Sequence, residues 1–351
     1  MTSKKRVVVG MSGGVDSSIA AYLLLEKGYE VIGLFFESFE KNPERKWAEM
    51  AAKHLGVKLE FFSFSDFFHG QVFQHFLQEL KSGKTPTPCV RCNKVFKFGH
   101  LLEFAVKKLQ ADFVATGHYV KNEWNEKTKK FELSIPKDKN NDQTYFLHHL
   151  NQEQFSRTLF PLSDITKPEV RKIAKSIGLK NHEKKSSTDV CFIKGAKFEN
   201  FLKEHFAKKP GNFVEVDTKK VIGQHDGAIF YTFGQRKNLG IGGVKNFSEA
   251  PWFVVDKNFN TNEVFVSQDE NKLLKPNLTA QNINWIAGNP PSKKFSCEAK
   301  IRYRGEVIPC EVEVTKEIVQ VKFQKPIRAI TPGQSVIFYD KDVCLGGGEI
   351  I

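Results

Sequence analysis

The sequence predicts an α/β fold: a Rossmann-like, doubly wound parallel sheet first, then a small central domain and a C-terminal β-barrel. Three observations predict it. Short β-branched runs alternate with helical stretches over roughly the first third of the chain. A glycine- and serine-rich loop joins the first strand to the first helix. From about Gly211 onward the chain changes to short β runs punctuated by Gly, Asn and Pro.

The elements follow in order. Residues 7–11 form an apolar, β-branched strand, and residues 17–27 a helix with Ile19, Tyr22, Leu23 and Glu26 in helical spacing and Gly28 as its stop. Residues 31–36 are strand-like, 44–55 helical up to Gly56, 57–64 strand-like and 67–80 helical. A long helix is expected over 93–110 and a buried strand over 113–116. A short helix over 168–177 closes at Gly178. The later β runs are 252–255, 264–266, 297–301, 319–323 and 336–339. Lys275-Pro276-Asn277 suggests a boundary near 274–277. The expected domains are therefore 1–200, 201–275 and 276–351.

Composition bounds the function. The 351 residues carry a net charge of +13, unevenly spread: residues 1–50 are neutral, 51–250 hold +12 and 251–351 hold +1. A polyanionic partner and a merely lysine-rich surface explain this equally well. No apolar run approaches the roughly 18 residues of a membrane span, and the apolar stretch after Lys4, Lys5 and Arg6 is too short for a signal peptide. Six cysteines are too sparse for a disulfide scaffold, so a reducing, cytoplasmic setting is expected.

Ser12-Gly13-Gly14-Val15-Asp16-Ser17 sits between the first strand and helix. Its glycines admit close backbone approach to an oxyanion, and its hydroxyls and the helix N–H groups can bind phosphate. It lacks the Gly-Lys-Ser/Thr ending of the Walker loop and is not G-x-G-x-x-G. The plainer reading is a strand-to-helix turn with a serine cap. Cys89-Val90-Arg91-Cys92-Asn93 follows two prolines at the start of a helix, where the helix dipole is expected to lower a thiol pKa. One C-x-x-C pair is weak grounds for zinc. Cys191, preceded by Lys184, Lys185 and small polar residues, is expected on a mobile loop as an electropositive thiol, while Cys297, Cys310 and Cys344 read as small core residues.

The glycine loop resembles the pyrophosphate loop (PP-loop) of the N-type ATP pyrophosphatases. Thr87-Pro88-Cys89-Val90-Arg91-Cys92-Asn93, Ala115-Thr116-Gly117-His118-Tyr119, Asp142-Gln143-Thr144-Tyr145-Phe146-Leu147 and the Cys191 segment resemble the tRNA-specific 2-thiouridylases (MnmA family). So do Gly223-Gln224-His225-Asp226-Gly227, Tyr231-Thr232-Phe233-Gly234-Gln235-Arg236-Lys237, Arg302-Tyr303 and Arg328-Ala329-Ile330-Thr331-Pro332-Gly333-Gln334, in collinear order.

The resemblance implies ATP-dependent 2-thiolation of the wobble uridine in tRNA-Lys, tRNA-Glu and tRNA-Gln, with ATP and Mg²⁺, release of AMP and pyrophosphate, and a persulfide donor such as a cysteine desulfurase or sulfur-relay protein. It places ATP at Gly10, Met11, Ser12, Gly13, Gly14, Val15, Asp16, Ser17, Phe36 and Gly117. Asp16 is then a Mg²⁺ ligand or a loop-shaping residue. Cys191 would carry the persulfide. Cys92 would attack Cys191 to release sulfide or act as acid/base. Thr87, Pro88, Cys89, Asn141, Asp142 and Gln143 would lie near the flipped base, and His118, Arg302, Tyr303 and Gln334 at tRNA contacts.

The chain departs from the family in three places. Cys89 stands where many relatives have Asp, which admits a minority reading in which Cys89, Cys92 and Cys191 ligate an iron–sulfur cluster. Asn141 stands where Lys is frequent, and Asn238, where Gly is frequent, is expected to alter one turn. Two other classes compete. A small-molecule amide-forming synthetase leaves the cysteines and the +12 segment without a role, and the intact loop argues against a non-enzymatic tRNA-binding or sulfur-carrier protein.

Overall fold

The computed structural model describes residues 4–37, 42–185, 190–193, 198–244 and 247–351. A five-stranded parallel sheet opens the chain, formed by β1 (Arg6–Gly10), β2 (Glu30–Glu37), β3 (Lys58–Ser63), β4 (Phe113–Ala115) and, far along the chain, Thr158–Leu159. Its order runs β3-β2-β1-β4 and ends at that last strand. Both faces are covered. Val7 and Val9 point into the core beneath α1 (Val15–Glu26) and α2 (Glu44–Leu55), while Val8 packs with Leu34, Leu101, Ala105 and Val114 on the other side. That explains the unbroken apolar run of β1. Each of these fully buried valines contributes about 1.5–3 kcal/mol. The chain winds outward from β1 to β3 and then returns to the other side of β1 at β4. The strand order therefore reverses between β1 and β4, the crevice where open α/β sheets bind ligands.

Two helices bridge β3 and β4, over residues 65–81 and 88–109, each containing a stretch of π-helix (His69–Gln74 and Cys92–His100). The wider π turn follows directly on Cys92, and such turns mark functional sites.

The hairpin Lys121–Asn125 and Lys130–Ser134 (β5, β6) escapes the periodicity reading, as does the two-residue strand Thr158–Leu159 (β7). The hairpin leaves the first sheet altogether and adds to the C-terminal one, Val343 opposite Ser134 and Cys344 opposite Leu133.

The second sheet joins β8 (Gly211–Glu215), β9 (Val221–His225), β10 (Phe253–Asn258) and β11 (Glu263–Ser267) in the order β10-β11-β8-β9. Its core is Phe213, Trp252, Val254, Val264 and Val266. Asn238 takes φ 60°, in the left-handed region that glycine adopts freely and asparagine tolerates.

The last six strands close a barrel: β12 (Leu274–Trp285), β13 (Lys294–Lys300), β14 (Ile308–Val314), β15 (Ile318–Arg328), β16 (Ser335–Asp340) and β17 (Val343–Ile350), in the order β12-β15-β14-β13-β16-β17, with β12 paired back to β17. Residues 274–277 lie inside β12 rather than in a linker. Pro276 sits where the pairing with β15 slips between Lys275 and Asn277, a bulge that dispenses with its missing N–H. Cys310 and Cys344 are buried as expected, and Cys297 is half-buried opposite Cys310.

Candidate active site

The loop between β1 and α1 is built from its own hydroxyls. The Ser17 hydroxyl accepts from the Ser12 N–H at 3.2 Å and donates to the Gly14 carbonyl at 3.1 Å. The Ser18 hydroxyl donates to the same carbonyl at 3.0 Å. Gly13 has φ +77° and packs on the Glu44–Ala48 backbone of α2. Gly14 caps α1 with no side chain over the helix N-terminus, leaving its N–H groups for an anion. Met11 is buried behind the loop, and Val15 opens α1. A Cβ on Gly10 would touch the Phe36 ring at 3.4 Å. Gly117, beyond β4, abuts the Asp16–Ser17 peptide so closely that a Cβ would stand 2.7 Å from it. All ten nucleotide residues expected from the resemblance therefore meet at the β1/β4 reversal.

Four residues that the sequence reading left out complete this site. Lys167 pairs with the Asp16 carboxylate, and the Tyr119 hydroxyl donates to the same group at 2.7 Å. Asn181, buried, donates to the Ser18 hydroxyl at 3.1 Å and the Gly13 carbonyl at 3.3 Å. Lys184 pairs with Glu44 and donates to the Gly13 carbonyl at 3.3 Å. Lys167 and Lys184 thus flank the loop, each paired with a carboxylate, Asp16 and Glu44. Asp16 is committed to Lys167 and Tyr119, which favours its loop-shaping role.

The thiols lie on the neighbouring face. Cys92 is half-buried on the helix over 88–109, and burial pushes its thiol up to about 12, against the opposing pull of Lys97. Cys89 is raised for the same reason. The expected dipole-lowered thiol is therefore corrected. Cys92 stands beyond the first turn from Pro88, and desolvation outweighs the dipole there. Cys191 is exposed, and it and Cys89 both lie close enough to raise the Cys92 thiol further. Residues 186–189 of its segment lie outside the described residues. Lys184 is spent on Glu44 and the loop rather than on Cys191. The flanking Phe192 and Ile193 pack into a hydrophobic cluster. Among the described residues no set of three His, Cys, Asp or Glu side chains is placed to hold a metal ion.

A neutral thiol with so high a pKa has a clear signature. Alkylation of Cys92 is expected to rise about tenfold per pH unit from pH 8 to 11 and to stay slower at pH 8 than that of Cys191. Peptide mass spectrometry after timed labelling reads this, and a Cys92 rate already at its plateau near pH 7 would contradict it.

Thr87, Pro88, Arg302, Tyr303 and Gln334 gather where the barrel meets the approach to the cysteine helix. Thr85 bridges the two: its N–H donates to the Pro332 carbonyl at 2.8 Å and its carbonyl accepts from the Gln334 amide at 2.6 Å. Tyr145 is the hub that sequence reasoning overlooked. Its hydroxyl donates to Gln334 at 3.4 Å, its ring lies 6.4 Å from Tyr303, and the charge of Arg302 reaches it. Arg302 is exposed and donates to the Arg328 carbonyl, and Tyr303 packs on Phe146 at 4.5 Å. Thr87 and Pro88 lead directly into the helix bearing Cys89 and Cys92.

His118 stands apart from this group. It hydrogen-bonds Thr116 at 2.8 Å, packs near Phe98 and Phe160, and is kept neutral by burial. Asn141 donates to Asp138 at 3.0 Å, and Gln143 pairs with the backbone of Tyr119 through both its own N–H and its side chain. Asp142 is buried and accepts from Lys300 at 2.9 Å and from Thr144 at 2.7 Å, so its carboxylate anchors the loop instead of facing the site opening.

A glycine- and serine-rich loop at the strand-order reversal, flanked by two lysine–carboxylate pairs, has the build of the pyrophosphate-loop class that the sequence resembles. Residues 5–195 match the model of the tRNA methyl transferase HUP domain, 199–268 that of the tRNA methyl transferase PRC-barrel domain, and 275–350 that of the aminomethyltransferase beta-barrel domain. The chain is 44% identical to the tRNA-specific 2-thiouridylase MnmA of Proteus mirabilis (strain HI4320), covering 99% of this chain and 97% of that one. It is 43% identical to the MnmA of Idiomarina loihiensis, over 99% and 96%, and 44% identical to that of Marinobacter nauticus, over 98% and 91%. The chain belongs to the tRNA-specific 2-thiouridylase family.

Proposed function

We infer that the protein is a tRNA sulfurtransferase that converts the wobble uridine of tRNA-Lys, tRNA-Glu and tRNA-Gln to 2-thiouridine. The observation that carries this reading is the pairing of two sites. An exposed thiol, Cys191, lies near a half-buried one, Cys92, on a chain that also carries a loop suited to ATP.

The chemistry follows from what each group can do. The C2 oxygen of uracil leaves poorly. Transfer of AMP from ATP onto it, with pyrophosphate departing, makes it a good leaving group. The Ser12–Ser17 loop, the α1 N-terminus, Lys167 and Lys184 would hold the charge that develops on the phosphates, with Phe36 and Gly117 bounding the nucleotide. Mg²⁺ would join the nucleotide at this loop. The base must leave the anticodon stack, which costs least in a single-stranded loop. Thr87, Pro88, Cys89, Asn141 and Gln143 would receive it, with Asp142 holding that loop in place. His118, Arg302, Tyr303 and Gln334 would meet the stem-loop.

A persulfide on Cys191, delivered by a cysteine desulfurase or relay protein, then attacks C2 and expels AMP. Cys92 attacks the Cys191 sulfur as its thiol proton passes to the base nitrogen left bare by activation; the bond between the Cys191 sulfur and the base sulfur breaks, and 2-thiouridine leaves with a Cys92–Cys191 disulfide behind. Burial keeps Cys92 protonated until that step, which guards the thiol against premature oxidation. The cytoplasm, where thiols are kept reduced, would reset the pair.

The test is mass spectrometry of nucleosides from tRNA incubated with protein, ATP, Mg²⁺ and a sulfur source. Wild type should yield 2-thiouridine. Cys92→Ser and Cys191→Ser should yield none while still binding tRNA. Normal thiolation by either variant would sink the assignment.

A further inference from the structure

We propose that Phe192 is the positioning residue that fixes Cys191 opposite Cys92. The inference rests on the thiolation reading above and adds to it the means by which two thiols almost a hundred residues apart are kept together.

The peptide around Cys191 is sharply divided in its exposure. Cys191 is exposed, while Phe192 is partly buried and Ile193 buried. The Ile193 N–H donates to the Val190 carbonyl at 2.9 Å, closing a turn with the thiol on its outer side. Below that turn the Phe192 ring is held by four others. It meets Phe76 at 5.3 Å, Phe73 at 5.4 Å and Phe68 at 6.0 Å edge-on, and Phe201 at 6.0 Å in a tilted contact. Phe68, Phe73 and Phe76 come from the helix over 65–81, and Phe201 from Phe198–His205. Edge-on aromatic packing is directional, so this socket sets the orientation of the ring as well as its depth.

The socket is also tied to the other thiol. Phe68 meets Phe96 edge-on at 5.8 Å, and Phe96 lies one turn beyond Cys92 on the same helix. A continuous run of rings, Phe192 to Phe68 to Phe96, therefore joins the backbone carrying Cys191 to the backbone carrying Cys92. Without it, the encounter of the two sulfurs would depend on the conformational freedom of a long connection. With it, the pair reacts as an intramolecular one at high effective concentration. Among the described residues no ring contact joins Phe192 or its four neighbours directly to the phosphate loop; only one ring further on does Phe96 meet Phe36, at 5.3 Å, so a loosened Phe192 is expected to act on the thiols before it reaches the nucleotide.

That separation gives the test. Phe192→Ala and the milder Phe192→Leu are compared with wild type for three quantities: tRNA-dependent release of pyrophosphate, 2-thiouridine formed, and Cys92–Cys191 disulfide formed per turnover by non-reducing peptide mapping. Phe192→Ala is expected to lose about tenfold or more in thiolation and disulfide yield while pyrophosphate release stays within about twofold. Phe192→Leu should fall between, and it carries the measurement if the alanine variant does not fold. Thiolation within about twofold of wild type in the folded variants would overturn the proposal, as would pyrophosphate release falling in step with thiolation. A wild-type enzyme that thiolates without ever forming the disulfide would instead defeat the Cys92 exchange step, so the two failures are distinguishable.

Discussion

Gly13→Ala is expected to stop ATP use while leaving tRNA binding in place. Gly13 has φ +77°, where an L side chain is strained by about 1–3 kcal/mol. The space is closed as well. An added Cβ would run into the Glu44 carbonyl oxygen, 3.1 Å from the Trp47 Cβ and 3.3 Å from the Ala48 nitrogen. These are mainly backbone atoms of α2, and no side-chain rotation relieves them. Either the loop or the helix must shift, and both options disturb the site. The Gly13 carbonyl accepts from Asn181 and Lys184, and Glu44 is the partner of Lys184. Misplacement of the loop by about 1 Å should cost on the order of 10²-fold in tRNA-dependent AMP formation. Gly14→Ala is the control. Its backbone is extended, and its Cβ would meet only the Ser12 hydroxyl at 3.4 Å, so it should retain far more activity. Equal AMP formation by the two variants would show that the steric argument is wrong.

How much of this was readable from the residues depends on how local the cause is. The phosphate loop was legible because its chemistry lies within a few consecutive residues between a strand and a helix. The parallel sheet was legible because β1 and β2 carry nearly unbroken apolar runs. Lys167 and Asn181 were not, because they reach the loop only through tertiary packing of the helix Lys167–Ser176 on α1. The Cys92 thiol was misread for the same reason: helix position is local, whereas the burial that dominates it comes from surrounding elements. Pro276 looked like punctuation, and only the partner strand reveals it as a bulge. Tyr145 sat inside a recognised motif, but its role depends on Gln334, nearly two hundred residues away.

Lys300→Met is expected to be among the most destabilising single changes in the protein, at about 3–5 kcal/mol. Lys300 and Asp142 form an ion pair at 2.9 Å with side chains only 10% and 5% exposed. The pair spans two segments: Asp142 belongs to the loop carrying Asn141 and Gln143, and Lys300 ends β13 of the barrel. Thr144 completes the network, donating its N–H and hydroxyl to Asp142 at 2.9 and 2.7 Å, with the Tyr339 hydroxyl 2.9 Å from the Thr144 oxygen. Methionine matches the lysine stem, so packing survives and the loss is chiefly electrostatic: a buried carboxylate without its cation. The melting temperature should fall by roughly 5–10 °C. Removing the second charge as well, in Lys300→Met with Asp142→Asn, should recover much of that loss, because no uncompensated charge remains buried. Function should not recover with stability. The loop carrying Asn141 and Gln143 would still lack its tie to the barrel, so thiolation by the double variant should remain below wild type at temperatures where both are folded. Calorimetry of the single and double variants tests the first part: if the double variant is as unstable as Lys300→Met, the damage lies in packing and the buried-charge account fails.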